Sequence, residues 1–250
     1  MTNDPKATSS PGEPRHGDQC DNAIKEQTSM TETPALPDDG DVAARKPPTS
    51  APEWDELYAS KTEFFSGEPN SSLIEEVQGL PAGRALDVGC GEGADAVWLA
   101  QQGWEVTGLE VSQVALKRAT ARAEQTGVAV QWVHSGLLHA GLPPGFFDLV
   151  VAHYPALPSS DRHDTECTLL ESVAPGGRLL MVYHAGFDSN EAKARGIDPA
   201  DYVLPVDVIS ALLQGNWTIS IDTRSPRVSP PGGAGHEITH NVIIRARRNM

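Results

Sequence analysis

The sequence predicts one α/β domain with a doubly wound, mostly parallel seven-stranded sheet that ends in an antiparallel hairpin. From Trp54 onward, apolar runs of strand length alternate with helical patterns, which indicates strand–helix–strand crossovers and a sheet covered on both faces. A glycine-rich turn follows the first buried strand. A Pro- and Gly-rich connection, rather than a helix, separates the last two strand-like runs, so we expect them to pair antiparallel.

Helix caps and breakers set the predicted element boundaries. Asn70, Ser71 and Ser72 offer caps for a helix that ends before Gly79, with Glu75 three residues after Ser72, and Ser112 and Gly127 bracket a long helix. The other predicted helices are 54–60, 94–102, 162–173 and 206–213, the long helix is 113–125, and the predicted strands are 84–88, 105–111, 128–133, 146–153, 177–184, 217–223 and 237–247.

The first 52 residues are predicted to be a disordered tail, and the domain is expected to cover 53–250. The tail has no aromatic residue and eight of the chain's 20 prolines, so it cannot bury enough apolar surface to offset the entropy of ordering. No apolar stretch follows Met1, which argues against a secretory signal. Nine acidic against five basic residues argue against a transit peptide.

Charge and composition limit which binding partners and which cellular compartment are expected. A formal net charge of −15 repels nucleic-acid phosphates and anionic membranes, so neither is expected as a partner. No apolar run approaches the roughly 20 residues that cross a bilayer. The three cysteines show no spacing typical of a metal site, so we expect no metal and a cytoplasmic location. The oligomeric state stays open.

The most informative stretch is ALDVGCGEGADAVWLA, residues 85–100. In a doubly wound sheet, ligands bind at the carboxyl ends of the strands, where this turn lies. Its glycines permit positive φ and a close approach of the backbone to a ligand. Gly89, Gly91 and Ala94 fit the dinucleotide pattern G-x-G-x-x-A, which is weak evidence by itself.

Two acidic residues decide between the candidate ligands. Asp87 lies two residues before the first glycine, and the nearest upstream base, Arg84, is at the far end of the strand. A pyrophosphate about 4 Å from Asp87 would meet a repulsion of roughly 4 kcal/mol at an effective dielectric of about 20. S-Adenosylmethionine instead carries an ammonium and a sulfonium. Glu110 ends the second strand and can accept from ribose hydroxyls, which alone would also suit NAD.

These motifs resemble those of class I S-adenosylmethionine-dependent methyltransferases. LDVGCGEG (86–93) and VTGLEVS (106–112) resemble the family's first two motifs, and FDLVVAH (147–153) and VAPGGRLLMVYH (173–184) resemble its fourth and fifth strands. The segment 54–73, which we call the entry segment, is similar to that of the small-molecule tellurite-resistance and thiopurine methyltransferases, where it closes over the cofactor. The resemblance implies a Rossmann-like methyltransferase fold and S-adenosylmethionine as cofactor.

The resemblance also implies which residues hold the cofactor. Asp87 and the glycines are expected at its methionine end and Glu110 at its ribose, while Gly136 stands where the family usually has an acid for the adenine amino group. Either the backbone at this position binds the adenine, or the affinity for the cofactor is reduced. The expected cofactor-binding residues are Trp54, Asp87, Gly89, Cys90, Gly91, Gly93, Glu110, Val111, Gly136 and Leu137.

The sequence predicts methyl transfer to a small acceptor at sulfur, oxygen, nitrogen or a metalloid. Such a displacement needs alignment, and it needs a base only when the nucleophile must lose a proton. His153, Tyr154 and His184 at strand ends are the candidate catalytic residues, with a structural role as the alternative. Two other functions remain: a non-catalytic S-adenosylmethionine-binding protein and an NAD-dependent oxidoreductase.

Overall fold

The computed structural model of the protein describes residues 48–185, 193, 197–224 and 240–250. The predicted disordered tail up to residue 47 and the first residues of the predicted last strand, 237–239, lie outside this part of the chain. Within the described residues, no helix is both long enough and apolar enough to cross a bilayer.

The described residues form six α-helices and seven strands. The helices are α1 Ala51–Ala59, α2 Ser71–Val77, α3 Ala94–Gln101, α4 Gln113–Thr126, α5 Asp164–Ser172 and α6 Pro205–Gln214. The strands are β1 Arg84–Val88, β2 Glu105–Glu110, β3 Val130–His134, β4 Phe147–His153, β5 Val173–His184, β6 Trp217–Arg224 and β7 Asn241–Arg248.

The strands form one sheet in the order β3-β2-β1-β4-β5-β7-β6. Strands β1 to β5 are parallel to one another, whereas β7 pairs antiparallel with both β5 and β6. The predicted doubly wound sheet and its antiparallel end are therefore confirmed. The strand order reverses between β1 and β4, which places the ligand crevice of such a fold at their carboxyl ends.

Many element boundaries differ from the prediction by one or two residues, and the starts of α1 and β5 differ by more. Helix α1 begins at Ala51, three residues before Trp54, because the backbone N–H groups of residues 49 and 50 donate to Glu53 Oε2. Strand β5 begins at Val173 rather than at residue 177, since Val173 already pairs with β4 ahead of a register shift. Asn70, one of the three predicted caps, precedes α2, and Ser72 is buried inside the helix.

The two faces of the sheet carry separate apolar cores. Helices α5 and α6 cover one face, where Leu86 and Val88 of β1 are buried. Helices α2 and α3 cover the other face, where Ala85 of β1 and Val151 of β4 are buried. Because side chains alternate along a strand, Asp87 and the residue that ends β4 belong to the α2–α3 face.

Candidate functional site

Polar side chains gather at the carboxyl ends of three adjacent strands. Asp87 is the fourth residue of β1, Glu110 ends β2 and His153 ends β4. Asp87 and Glu110 are 2% and 6% exposed. The glycine turn between β1 and α3 lies at the same edge, so the structure brings together the residues on which the sequence prediction depends.

The backbone amides of the glycine turn are used within the protein. Gly89 and Cys90 both donate to the carbonyl of Leu109, at 2.8 and 3.0 Å. Gly91 donates to Glu110 Oε2 at 3.0 Å. A turn that binds phosphate directs such N–H groups at its ligand. The hydrogen bonds here therefore argue against a pyrophosphate and against the dinucleotide interpretation.

The three glycines of the turn have different surroundings, although all have positive φ. A Cβ built on Gly91 would lie 2.8 Å from the hydroxyl of Tyr58, and one on Gly93 would lie 2.7 Å from Cβ of Ala119. A Cβ on Gly89 meets no described atom within 4 Å. Gly89 thus borders open space beside Asp87, where a ligand can approach the backbone.

Asp87 is a buried carboxylate with an unsatisfied oxygen. Its Oδ2 has no hydrogen-bond partner among the described residues. Burial raises the pKa of Asp87 well above its ordinary value, and the nearby carboxylates of Asp95 and Glu110 raise it further. An unpartnered buried carboxylate is costly unless a cation or a hydrogen-bond donor reaches it. The site therefore fits a ligand that brings an ammonium group to Asp87.

Glu110 is held in place by backbone donors. Its Oε2 accepts from Gly91 and its Oε1 accepts from the N–H of Ser112 at 2.9 Å. Burial raises the pKa of Glu110, and these hydrogen bonds oppose that effect. A carboxylate has about four acceptor positions, so Glu110 can still accept from the hydroxyls of a ribose.

The remaining predicted cofactor residues lie around this pair of acids. Burial, and then the charge of Asp87, raise the pKa of the Cys90 thiol, which disfavours the reactive thiolate. The carbonyl of Val111 lies 2.9 Å from Nε2 of His134. A Cβ on Gly136 would have only ordinary contact with Val111, and the side chain of Leu137 is buried in the core.

The entry segment covers the turn, and one of its contacts, through Asp55, was not identified from the sequence. Asp55 accepts from the hydroxyl of Ser112 at 2.6 Å and from the N–H of Val114 at 3.0 Å, at the start of α4. Tyr58 is buried with its hydroxyl next to Gly91, whereas Trp54 packs against Tyr58 with ring centroids 6.1 Å apart. Tyr58 is thus the aromatic side chain that touches the turn.

A second attachment of the entry segment uses Glu92 of the turn. Its carboxylate accepts from the N–H groups of Phe64 and Phe65 and from Nη1 of Arg118, the last at 2.6 Å. The sequence argument considered only the upstream base Arg84, but Arg118 on α4 also reaches the turn. Arg118 is paired with Glu92 and with two carbonyls of the entry segment, so its charge does not reach Asp87 unopposed.

The three candidate catalytic residues have different environments. His153 is enclosed by polar partners on α2 and α3. Tyr154 has a positive φ of 50°, its hydroxyl accepts from Asn241 Nδ2 at 3.0 Å, and burial raises its pKa. His184 stacks on Tyr154 with ring centroids 4.1 Å apart. Desolvation lowers the pKa of His184 to about 4, although the residue as a whole is exposed.

Comparison with known proteins supports the inference from this site. The family described as "Methyltransferase domain" matches residues 85–177, from β1 into β5. Over these residues the chain matches a methyltransferase domain, and it is similar to class I S-adenosylmethionine-dependent methyltransferases. The match confirms the resemblance that the motifs of β1, β2, β4 and β5 predicted.

The similar curated proteins are matched over only part of their length. A ubiquinone biosynthesis O-methyltransferase of Pectobacterium carotovorum subsp. carotovorum (strain PC1) is 32% identical over 110 residues, 44% of this chain and 46% of the relative. An uncharacterized methyltransferase of Mycobacterium tuberculosis (strain ATCC 25618 / H37Rv) is 32% identical over 111 residues, 44% of this chain and 55% of the relative. The chain spans about half the length of the curated relatives it matches.

Solved structures match a larger share of this chain. A structure from work on the conversion of a disulfide bond into a thioacetal group during echinomycin biosynthesis has a TM-score of 0.60 and 26% identity, over 80% of this chain and 92% of the other. Geranyl diphosphate methyltransferase in complex with GPP and sinefungin has a TM-score of 0.56 and 17% identity, over 71% and 75%. The latter likeness is one of fold.

Proposed function

We propose that the protein transfers a methyl group from S-adenosylmethionine to a small-molecule acceptor. The observation that carries this proposal is the pair of buried carboxylates, Asp87 and Glu110, on either side of a glycine turn whose amides are already used. A cationic nucleoside satisfies this arrangement, and a diphosphate does not.

Each part of the site has a distinct role in this proposal. Asp87 would bind the ammonium of the methionine end, the open space at Gly89 would admit that end, and Glu110 would accept from the ribose hydroxyls. Tyr58 and the rest of the entry segment would exclude water from above the turn. The bound cofactor supplies a methyl group on a sulfonium, which is an activated leaving group.

The chain's own residues would then align the acceptor at the ends of β4 and β5. Tyr154 and His184 form a stacked pair there, and the strained backbone of Tyr154 is typical of a functional position. His184 is neutral near pH 7, so its ring has a lone pair that would accept a proton from an acceptor that must lose one, although the low pKa makes it a weak base. The acceptor is proposed to be a small molecule rather than a nucleic acid, and the protein to act in the cytoplasm.

Two measurements test this function. Calorimetry with S-adenosylmethionine, its demethylated product and NAD tests the cofactor, and binding of the first two but not of NAD is expected. Labelled S-adenosylmethionine with a panel of thiol, phenol, amine and oxyanion acceptors then tests transfer. Binding without transfer to any acceptor would instead favour a non-catalytic S-adenosylmethionine-binding protein. Gly136, which stands where the family usually has an acid, is the observation that keeps this second function open.

A further inference from the structure

The ring of His153 is enclosed by side chains on both helices that cover its face of the sheet. Nδ1 lies 3.0 Å from Oδ2 of Asp95 on α3, and Nε2 lies 3.2 Å from the hydroxyl oxygen of Ser72 on α2. This close polar contact does not have the geometry of a hydrogen bond. The His153 side chain is 4% exposed. Both ring nitrogens are therefore engaged, and little of the ring is accessible to an acceptor.

Asp95 connects His153 to the end of the entry segment. Its Oδ1 accepts from the N–H of Asn70 at 2.7 Å, and its Oδ2 accepts from Nδ2 of Asn70 at 2.8 Å. Burial alone would raise the pKa of Asp95, but His153 and the hydrogen bonds from Asn70 outweigh it and lower the pKa. The ionised Asp95 thus holds Asn70, while His153 holds both Asp95 and Ser72.

The same carboxylate lies close to the proposed cofactor site. After burial, the charge of Asp95 is the largest cause of the raised pKa of Asp87. Asp95 is also the second residue of α3, directly after the glycine turn. A change at His153 therefore affects two things together: the position of the entry segment at Asn70 and the electrostatics beside Asp87.

We propose that His153 is a positioning residue that fixes the end of the entry segment over the cofactor, and not the base that takes a proton from the acceptor. This inference rests on the proposed function. Through Ser72 and Asp95, His153 fastens residues 70–72 to the sheet. The earlier part of the segment has its own attachments at Asp55 and Glu92. Loss of His153 should loosen only the end of the segment and weaken cofactor binding without slowing the transfer step.

Two substitutions separate the contacts of His153. His153→Asn keeps an amide near the position of Nδ1 and loses the contact to Ser72, whereas His153→Gln reaches toward Ser72 and loses the contact to Asp95. We expect His153→Gln to weaken S-adenosylmethionine binding about 10- to 100-fold, as for a lost interaction with a charged group. His153→Asn and Ser72→Ala should weaken it only about 2- to 10-fold, as for a neutral hydrogen bond.

Kinetics distinguish a positioning residue from a base. In all three variants, KM for S-adenosylmethionine should rise while kcat at saturation stays within about threefold, and the pH profile of kcat should be unchanged. A drop in kcat of about 100-fold or more with an unchanged dissociation constant, as expected for a lost general base, would overturn the proposal. The matched control is His163→Gln, which breaks the other histidine–carboxylate contact, to Glu166 on α5, and should leave cofactor affinity unchanged.

Hydrogen exchange tests the same inference without cofactor or acceptor. The N–H of Asn70 is protected by Asp95, so it should exchange faster in His153→Gln than in the wild type and should be unaffected in His163→Gln. If this exchange is unchanged, the positioning role of His153 is wrong even where S-adenosylmethionine binds. If the wild type does not bind S-adenosylmethionine while exchange at Asn70 responds as expected, the proposed function fails and the attachment by His153 stands. Ser72→Ala, the mildest change, provides a folded variant for the comparison.

Discussion

Charged side chains have opposite environments at the two ends of the same strands. At the amino ends of β1 and β4, Arg84 and Asp148 form an ion pair at 3.2 Å, with side chains 36% and 43% exposed. At the carboxyl ends, Asp87 and Glu110 are buried, and Asp87 has an oxygen without a described partner. The pKa of Asp148 is lowered because the hydrogen bonds from Arg84 outweigh burial, whereas burial raises the pKa of Asp87.

This difference separates stability from function. A partly exposed ion pair contributes only about 0–1 kcal/mol to stability, because the loss of side-chain entropy and solvent screening offset most of the attraction. A buried carboxylate without a partner opposes folding. A sequence that retains one beside a glycine turn breaks a local rule at a single place, and such violations are expected at functional sites. The predictions below therefore compare changes at the two ends of the sheet.

The largest effect is expected at Asp87. Asp87→Ala should abolish S-adenosylmethionine binding, because no other described carboxylate oxygen at the turn is free to meet an ammonium. Asp87→Asn should also lose binding but should fold at least as stably as the wild type near pH 8, since a neutral amide is cheaper to bury. Calorimetry and thermal unfolding of both variants check this. Normal binding in either would refute the assignment of Asp87.

A glycine substitution probes the open space next to Asp87. Gly89→Ala should cost about 1–2 kcal/mol of stability because φ is +71°, and it should weaken S-adenosylmethionine binding strongly because the methyl group enters the ligand's space. Gly127 is the matched control: its φ is +70°, and a Cβ there also meets nothing within 4 Å. Gly127→Ala should lose similar stability and keep its affinity. Equal affinities in the two variants would show that no ligand lies at Gly89.

Glu110 is expected to have the next largest effect. Glu110→Ala removes charge-assisted hydrogen bonds worth about 1.5–3 kcal/mol and should weaken cofactor binding by more than about tenfold. It also removes the acceptor of the Gly91 N–H, so the unfolding free energy of the variant is measured alongside its affinity. A dissociation constant equal to that of the wild type would remove Glu110 from the cofactor site.

The contacts of this site could be predicted where the residues lie close together in the sequence, and not where they are far apart. Asp87, the glycines and Glu110 lie on adjacent strands joined by a short helix, so their order in the sequence predicted their meeting at the carboxyl edge. The attachments of the entry segment could not be predicted, because Arg118 and Glu92 are 26 residues apart, Ser112 and Asp55 are 57 apart, and only tertiary packing sets their register. The start of β5 was missed because Pro175 argued against a strand there.

The pH dependence of stability should differ in sign between the two ends of the sheet. A raised folded-state pKa at Asp87 favours the fold at low pH, and this contribution is lost as pH rises through that pKa. Asp87→Asn should therefore gain stability over the wild type as pH rises. The lowered pKa of Asp148 stabilises the fold at pH values above the pKa that this group has in the unfolded chain. This stabilisation is lost as pH falls through the folded-state pKa. Asp148→Asn should therefore be less stable than the wild type at pH 7 and approach it near pH 3. Denaturant unfolding of the three proteins between pH 3 and pH 9 checks both signs.

The smallest effect is expected from removing the ion pair at the amino end. Asp148→Ala should lower stability by no more than about 1 kcal/mol and leave S-adenosylmethionine affinity unchanged, because Asp148 and Arg84 lie at the opposite end of the strands from the turn. Parallel unfolding and calorimetric measurements check this. A loss of affinity comparable to that of Glu110→Ala would mean that the two ends of the sheet are not independent.

The most direct test of the central claim is a calorimetric titration of the wild type and of Asp87→Asn with S-adenosylmethionine and with NAD. If the buried carboxylates select a cationic nucleoside, the wild type binds S-adenosylmethionine at one site and does not bind NAD, and the variant binds neither. Binding of NAD by the wild type, or undiminished binding of S-adenosylmethionine by Asp87→Asn, would contradict the account.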